Sequence, residues 1–121
     1  MIGIGVDLVE VDRMRAALER TPTLAARLFT DGERAYATAA KDPAERFAAR
    51  FAAKEAVLKA LGVGLGAADW HDIEVVRAPS GAPSLRITGR ALACADAAGV
   101  TRWLLTLTHT HRTAEAIAIA L

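Results

Sequence analysis

The sequence predicts an α+β domain in which an antiparallel sheet packs on one side of a long central helix. Three observations predict it. Residues 2–9 alternate strictly, with Ile2, Ile4, Val6 and Leu8 against Gly3, Gly5 and Asp7. Residues 44–61 form an alanine-rich run with neither Pro nor Gly inside it. Residues 103–121 hold two more alternating segments separated by His111-Arg112.

At 121 residues and 53% hydrophobic, the chain has enough apolar material for one compact domain spanning 1–121. Its formal charge of +1 gives no bulk electrostatic case for nucleic acid, so an acidic partner must be met by a local patch. Cys94 is the only cysteine, which excludes an internal disulfide and a cysteine-rich zinc site and points to the cytoplasm. Met1 leads directly into strand-like residues, and no apolar run has the length of a bilayer span. The expectation is a cytoplasmic protein that neither crosses nor enters a membrane.

The first strand does not open a dinucleotide fold, because Leu8 stands where G-x-G-x-x-G needs its third glycine. From Asp12 the pattern is helical: Met14, Ala17 and Leu18 make the apolar side, Arg13, Arg15 and Arg20 project elsewhere, and Thr21-Pro22 stops the run. Thr30 and Glu33 have capping-box spacing and open a short helix through Tyr36 that ends near Lys41-Asp42-Pro43. The long helix runs from Ala44 to Leu61, and the glycines of Gly62-Val63-Gly64-Leu65-Gly66 close it. Trp70 to Arg77 reads as a strand, Ala78 to Pro83 as its turn and Ser84 to Thr88 as the partner strand. A helix follows over Gly89–Ala98, then strands over Trp103–Thr110 and Ala114–Leu121.

Four positions carry candidate chemistry. Phe51, Glu55, Leu58 and Lys59 share one helical stripe, so Glu55 is partly desolvated and needs a cation; Lys59, one turn on, supplies one. Spacing alone is equally met by an ordinary i,i+4 surface pair. Gly3 and Gly5 beside Asp7 leave room for another backbone or for a ligand, and Asp7 either ends the strand or faces a pocket. His109 ends the apolar file Trp103, Leu105, Leu107, a place that suits a structural histidine or a functional one presented at a strand end. The alanines alternating with Ile117, Ile119 and Leu121 suit close packing under a helix.

Ile4-Gly5-Val6-Asp7-Leu8-Val9-Glu10-Val11-Asp12-Arg13 resembles the opening signature of the bacterial holo-[acyl-carrier-protein] synthases, the small 4'-phosphopantetheinyl transferases. Arg50-Phe51-Ala52-Ala53-Lys54-Glu55-Ala56 with Lys59-Ala60 resembles their second signature, Trp70 to Val75 the strand that follows, and Leu107-Thr108-His109-Thr110 their late histidine motif. The motifs fall in family order across essentially the whole chain. A minor departure is Thr106, which stands where a serine is common.

The resemblance implies the 4'-phosphopantetheinyl transferase fold and transfer of the phosphopantetheine arm of coenzyme A to a serine of apo acyl carrier protein, releasing adenosine 3',5'-bisphosphate, in fatty acid or polyketide synthesis. It implies Mg2+ held by Asp7 and Glu55, which suits a cation that takes one or two carboxylates plus phosphate oxygens. It implies Lys59 at the leaving phosphate, with the serine proton passing to Glu55 or to a metal-bound water. By the same resemblance Arg50, Phe51, Lys59, Gly62 and His109 hold coenzyme A, Arg13 and Arg20 dock the carrier protein, and the active unit is a homotrimer with sites at subunit boundaries. A non-catalytic carrier-protein or nucleotide-binding module is the alternative, but it has no need to gather Asp7, Glu55 and Lys59.

Overall fold

In the computed structural model, which describes residues 1–121, the chain forms β1 (Gly3–Glu10), α1 (Val11–Arg20), α2 (Leu24–Leu28), α3 (Asp31–Thr38) and α4 (Pro43–Leu61). A 3-10 turn (Trp70–Asp72), β2 (Ile73–Arg77), β3 (Pro83–Ile87), α5 (Gly89–Ala98), β4 (Trp103–His109) and β5 (Thr113–Ala120) complete it. The antiparallel sheet has the order β1-β5-β4, and β2 and β3 form a separate hairpin. No helix is long and apolar enough to cross a membrane.

α4 is the element on which the others are laid. Pro43 begins it where no amide donor is needed, and Gly62 ends it at φ 69°, with its N–H on the carbonyls of Leu58 and Lys59. Between them the helix presents Ala48, Ala52, Ala53 and Ala56, all fully buried, so neighbouring backbones approach closely. A Cβ at Gly3 would lie 1.9 Å from the Ala60 carbonyl oxygen, and one at Gly5 1.9 Å from that of Ala56. The two glycines are therefore there for a backbone. Beside them Ala114, Ala116, Ala118 and Ala120 of β5, all fully buried, complete the floor under the helix, as their alternation predicts.

The apolar set of β1 points the other way. Ile4, Val6 and Leu8 are 59%, 49% and 61% exposed, and Leu104 on β4 is 49% exposed. Ile4 pairs with Ile119 and Val6 with Ile117, while Leu104 flanks Ile119 from the other side. The outer face of the sheet is thus a contiguous apolar surface, larger than isolated exposed side chains would make.

Glu33 and Lys54 form a buried pair beneath the hairpin, Nζ to Oε1 at 2.8 Å, with neither side chain exposed. Each is further satisfied. Glu33 caps α3 through the Thr30 N–H and accepts from the Val75 N–H at 2.9 Å, while Lys54 donates to the carbonyls of Trp70 and Ile73. Burial pushes the Lys54 ammonium down, against the pull of Glu33. Removing one partner would leave an uncompensated buried charge, a loss of about 3–5 kcal/mol.

β1, α4, β3 and β4 each shift by one residue from the sequence reading, and three further elements differ from it. The strand expected from Trp70 begins at Ile73, because Asp69 and Asp72 bond reciprocally across a 3-10 turn. The five-residue α2 was not predicted; it lacks a side-chain cap and rests on the packing of Leu28. β5 spans Thr113–Ala120 rather than Ala114–Leu121, with Thr110 closing the turn on Thr113.

Candidate active site

β1 and α4 bring Asp7, Glu55 and Lys59 together where the strand leaves the helix. Lys59 Nζ donates to Asp7 Oδ1 at 2.9 Å and to the Val6 carbonyl at 3.0 Å. Asp7 is 15% exposed and Lys59 54%, so the pair sits at a rim with the ammonium in solvent. The hydrogen bond to Asp7 holds the Lys59 ammonium above its ordinary range.

Glu55 behaves differently from the i,i+4 partner that spacing suggests. Lys59 reaches across to β1 instead, because the strand's carbonyl and carboxylate offer it two acceptors. Glu55 is left half-buried without an ion pair, and its carboxyl is pushed up, chiefly by burial and next by the charge of Asp7, with Lys59 opposing. Two hard oxygen donors face one space.

That space is a cavity of about 810 Å³, lined by Asp7 and Glu55 together with Phe51, Arg13, Arg20 and Met14. Arg13 and Arg20 are exposed on α1 and put positive charge at its edge, and Phe51 packs at a tilt of 41° against Trp70 with centroids 5.1 Å apart. Arg15, the third arginine of the helix, is tied to Asp12 at 2.5 Å and Asp42 at 2.7 Å.

Arg50 and His109 lie in a second cavity, of about 660 Å³, on another side of α4. Arg50 is 5% exposed, and its Nε has no hydrogen-bond partner. Burial, with Arg46 and Arg77 nearby, pushes its guanidinium down from the ordinary range. His109 Nδ1 lies 3.7 Å from Glu45, which His111 approaches to 3.1 Å. Gly62 lines neither cavity and serves as the helix cap.

One chain therefore gathers Asp7, Glu55, Lys59, Phe51, Arg13 and Arg20 on one side and Arg50 with His109 on another. The sequence reading missed Tyr36, Arg46, Arg77 and Lys41, which surround Arg50 in the second cavity. Arg46 and Arg50 at i,i+4 were a visible hint; Arg77 comes from the hairpin and has no local signal.

The sequence matches the 4'-phosphopantetheinyl transferase superfamily over residues 3–120, and the chain belongs to that superfamily. It is 51% identical to the holo-[acyl-carrier-protein] synthase of Frankia alni over 120 residues, which cover 99% of this chain and 97% of that protein. Its structure is similar to that of the holo-[acyl-carrier-protein] synthase from Neisseria meningitidis, with a TM-score of 0.90 at 28% identity, covering 100% of this chain and 98% of that one. It is also similar to the Bacillus anthracis holo-(acyl-carrier-protein) synthase in complex with CoA (3',5'-ADP), with a TM-score of 0.81 at 31% identity, covering 98% and 95%.

Proposed function

We infer that this chain is a holo-[acyl-carrier-protein] synthase, which transfers the 4'-phosphopantetheine of coenzyme A to a serine of apo acyl carrier protein. The observation that carries the catalytic part is that Asp7 and Glu55 line one cavity beside two exposed arginines, with Lys59 bonded to Asp7 at 2.9 Å. The serine oxygen bonds to the phosphorus that bears pantetheine, its proton passes to Glu55 or to water, the bridging P–O bond breaks, and adenosine 3',5'-bisphosphate leaves with the bridging oxygen. Such a transfer depends on positioning and on neutralising charge at the phosphates.

Asp7 and Glu55 fit Mg2+ as its protein ligands. Both are hard oxygen donors, and the upward push of Asp7 on Glu55 is a like-charge repulsion that a divalent cation relieves. Two carboxylates suffice for a cation that keeps its remaining positions for phosphate oxygens and water, and no group of three or more His, Cys, Asp or Glu side chains in the chain is arranged to hold a metal ion. Bound there, Mg2+ supplies charge neutralisation on the pyrophosphate. Lys59, bonded to Asp7, supplies a half-exposed cation beside the carboxylates for the departing phosphate.

Arg50 and His109 take the nucleotide end of coenzyme A, and Arg13 and Arg20 take the acidic carrier protein. The whole of residues 1–121 works as one transferase domain in the cytoplasm, in fatty acid synthesis. Three copies close through the outer sheet face, where Ile4, Val6, Leu8 and Leu104 stand exposed. This arrangement accounts for the separation of His109 from Glu55 within one chain: the nucleotide half of a site comes from one protomer and the carboxylate half from its neighbour.

The test is incubation with coenzyme A, Mg2+ and an apo carrier protein, read by intact mass. The carrier gains one phosphopantetheine group, and adenosine 3',5'-bisphosphate appears in equal amount. A carrier of unchanged mass, while coenzyme A and carrier both bind, leaves a non-catalytic binding module.

A further inference from the structure

The cavity around Arg50 is built on an aromatic ring that the transfer chemistry does not use. The guanidinium carbon of Arg46 lies 3.9 Å from the Tyr36 ring centroid, that of Arg50 4.1 Å and that of Arg77 5.0 Å. Three cations converge on one side chain. None of the three forms a salt bridge anywhere in the chain. The acids on the cavity wall are engaged elsewhere: Asp42 accepts from Arg15 at 2.7 Å, and Glu45 faces His111 and His109.

Like charges at these separations repel, and the negative faces of an aromatic ring are what offset the repulsion here. Arg46 is hooked besides by its donation to the Tyr36 carbonyl at 2.7 Å, and Arg77 Nε donates to the Gly81 carbonyl at 3.3 Å. Arg50, nine-tenths buried, lines the cavity without an ion pair, and its buried Nε has no partner. A fixed set of guanidinium donors without carboxylate partners matches a dianionic phosphate.

We propose that Tyr36 is a positioning residue whose ring clamps Arg46, Arg50 and Arg77 into one preformed cationic fan, making the cavity selective for a nucleotide that carries a second phosphate. The proposal rests on the reading that this cavity takes the adenosine bisphosphate end of coenzyme A. The ring is the agent, and the phenol oxygen is not. Removing the ring releases the arginines to repel one another, so the cost falls on nucleotide binding and leaves the carboxylate site on the far side of α4 alone.

Calorimetric titration with adenosine 3',5'-bisphosphate and with 5'-AMP tests this on the full chain, in wild type, Tyr36→Phe, Tyr36→Leu and Arg77→Gln. Wild type and Tyr36→Phe prefer the bisphosphate by a similar factor. Tyr36→Leu loses about tenfold of that preference. Its KM for coenzyme A rises by a similar factor, and kcat at saturating coenzyme A falls much less. Arg77→Gln loses part of the preference in the wild-type background and nothing further in the Tyr36→Leu background. A folded Tyr36→Leu protein with wild-type preference overturns the proposal, as does Tyr36→Phe losing as much as Tyr36→Leu. If Tyr36→Leu does not fold, Arg77→Gln decides, and an unchanged preference there overturns it. Wild type binding neither nucleotide refutes the reading of the cavity itself.

Discussion

Lys59 bonds to Asp7 across the junction of α4 and β1 at 2.9 Å, and in doing so leaves Glu55, one turn back on the same helix, with no cation at salt-bridge distance. Glu55 therefore carries the cost of burial and of a neighbouring carboxylate.

The first prediction follows from the sign of that shift. A carboxyl whose folded pKa lies above its ordinary 4.5 binds its proton more tightly when folded. Its contribution favours folding below the unfolded value and is lost as pH rises through the raised folded value. At neutral pH without metal, Glu55→Gln should melt at a higher temperature than wild type, and the gap should close as the pH is lowered toward 4.5. Thermal melts in EDTA across that range decide it; a wild type that equals or exceeds Glu55→Gln at neutral pH contradicts it.

Much of this site was legible because its signals are local. The alternation of β1, the alanine run of α4 and the i,i+4 spacing of Glu55 and Lys59 are each read from neighbouring residues of one segment. What the sequence left open was decided over longer distances. Gly3 and Gly5 allowed either a ligand or a backbone, and only the position of the Ala56 and Ala60 carbonyls selects the backbone. Glu33 was readable as a helix cap but not as the partner of Lys54, because a capping box carries no mark of what lies beneath it. Tyr36 read only as part of a short helix, since the arginines that surround it come from α4 and β2.

A second prediction concerns Lys59, whose half-exposed ammonium, held by Asp7 and the Val6 carbonyl, keeps a face open to charge developing on the leaving phosphate. Stabilisation that grows toward the transition state appears in turnover. Lys59→Ala should lower kcat by about a hundredfold while the coenzyme A KM changes less. Steady-state kinetics showing the reverse split would make Lys59 a ground-state anchor.

A third concerns the edge of the carboxylate cavity. Arg13 and Arg20 are exposed there and Arg15 is not available, being paired to Asp12 and Asp42. Arg13→Glu with Arg20→Glu should raise the carrier-protein KM at least about tenfold and flatten its dependence on salt, with coenzyme A binding unchanged. Equal carrier KM at low ionic strength excludes this surface.

A fourth tests the shared site. Ile117→Glu puts a charge in the middle of the outer sheet face, opposite Val6, and should yield monomers by sedimentation and abolish transfer. Mixing inactive Glu55→Ala with inactive His109→Ala chains should restore part of the activity through boundaries where one intact protomer completes each half. A fully active monomer at assay concentration contradicts both statements.

The role of Asp7 and Glu55 as a joint metal site is tested most directly by the rate of carrier mass gain as Mg2+ is titrated into EDTA-treated wild type, Asp7→Ala and Glu55→Ala. Wild type should be silent without the cation and saturate with it. Both variants, folded by circular dichroism, should stay at least about a hundredfold slower at every concentration. Full-rate transfer by wild type in EDTA, or near-normal rates in both variants, would contradict the assignment.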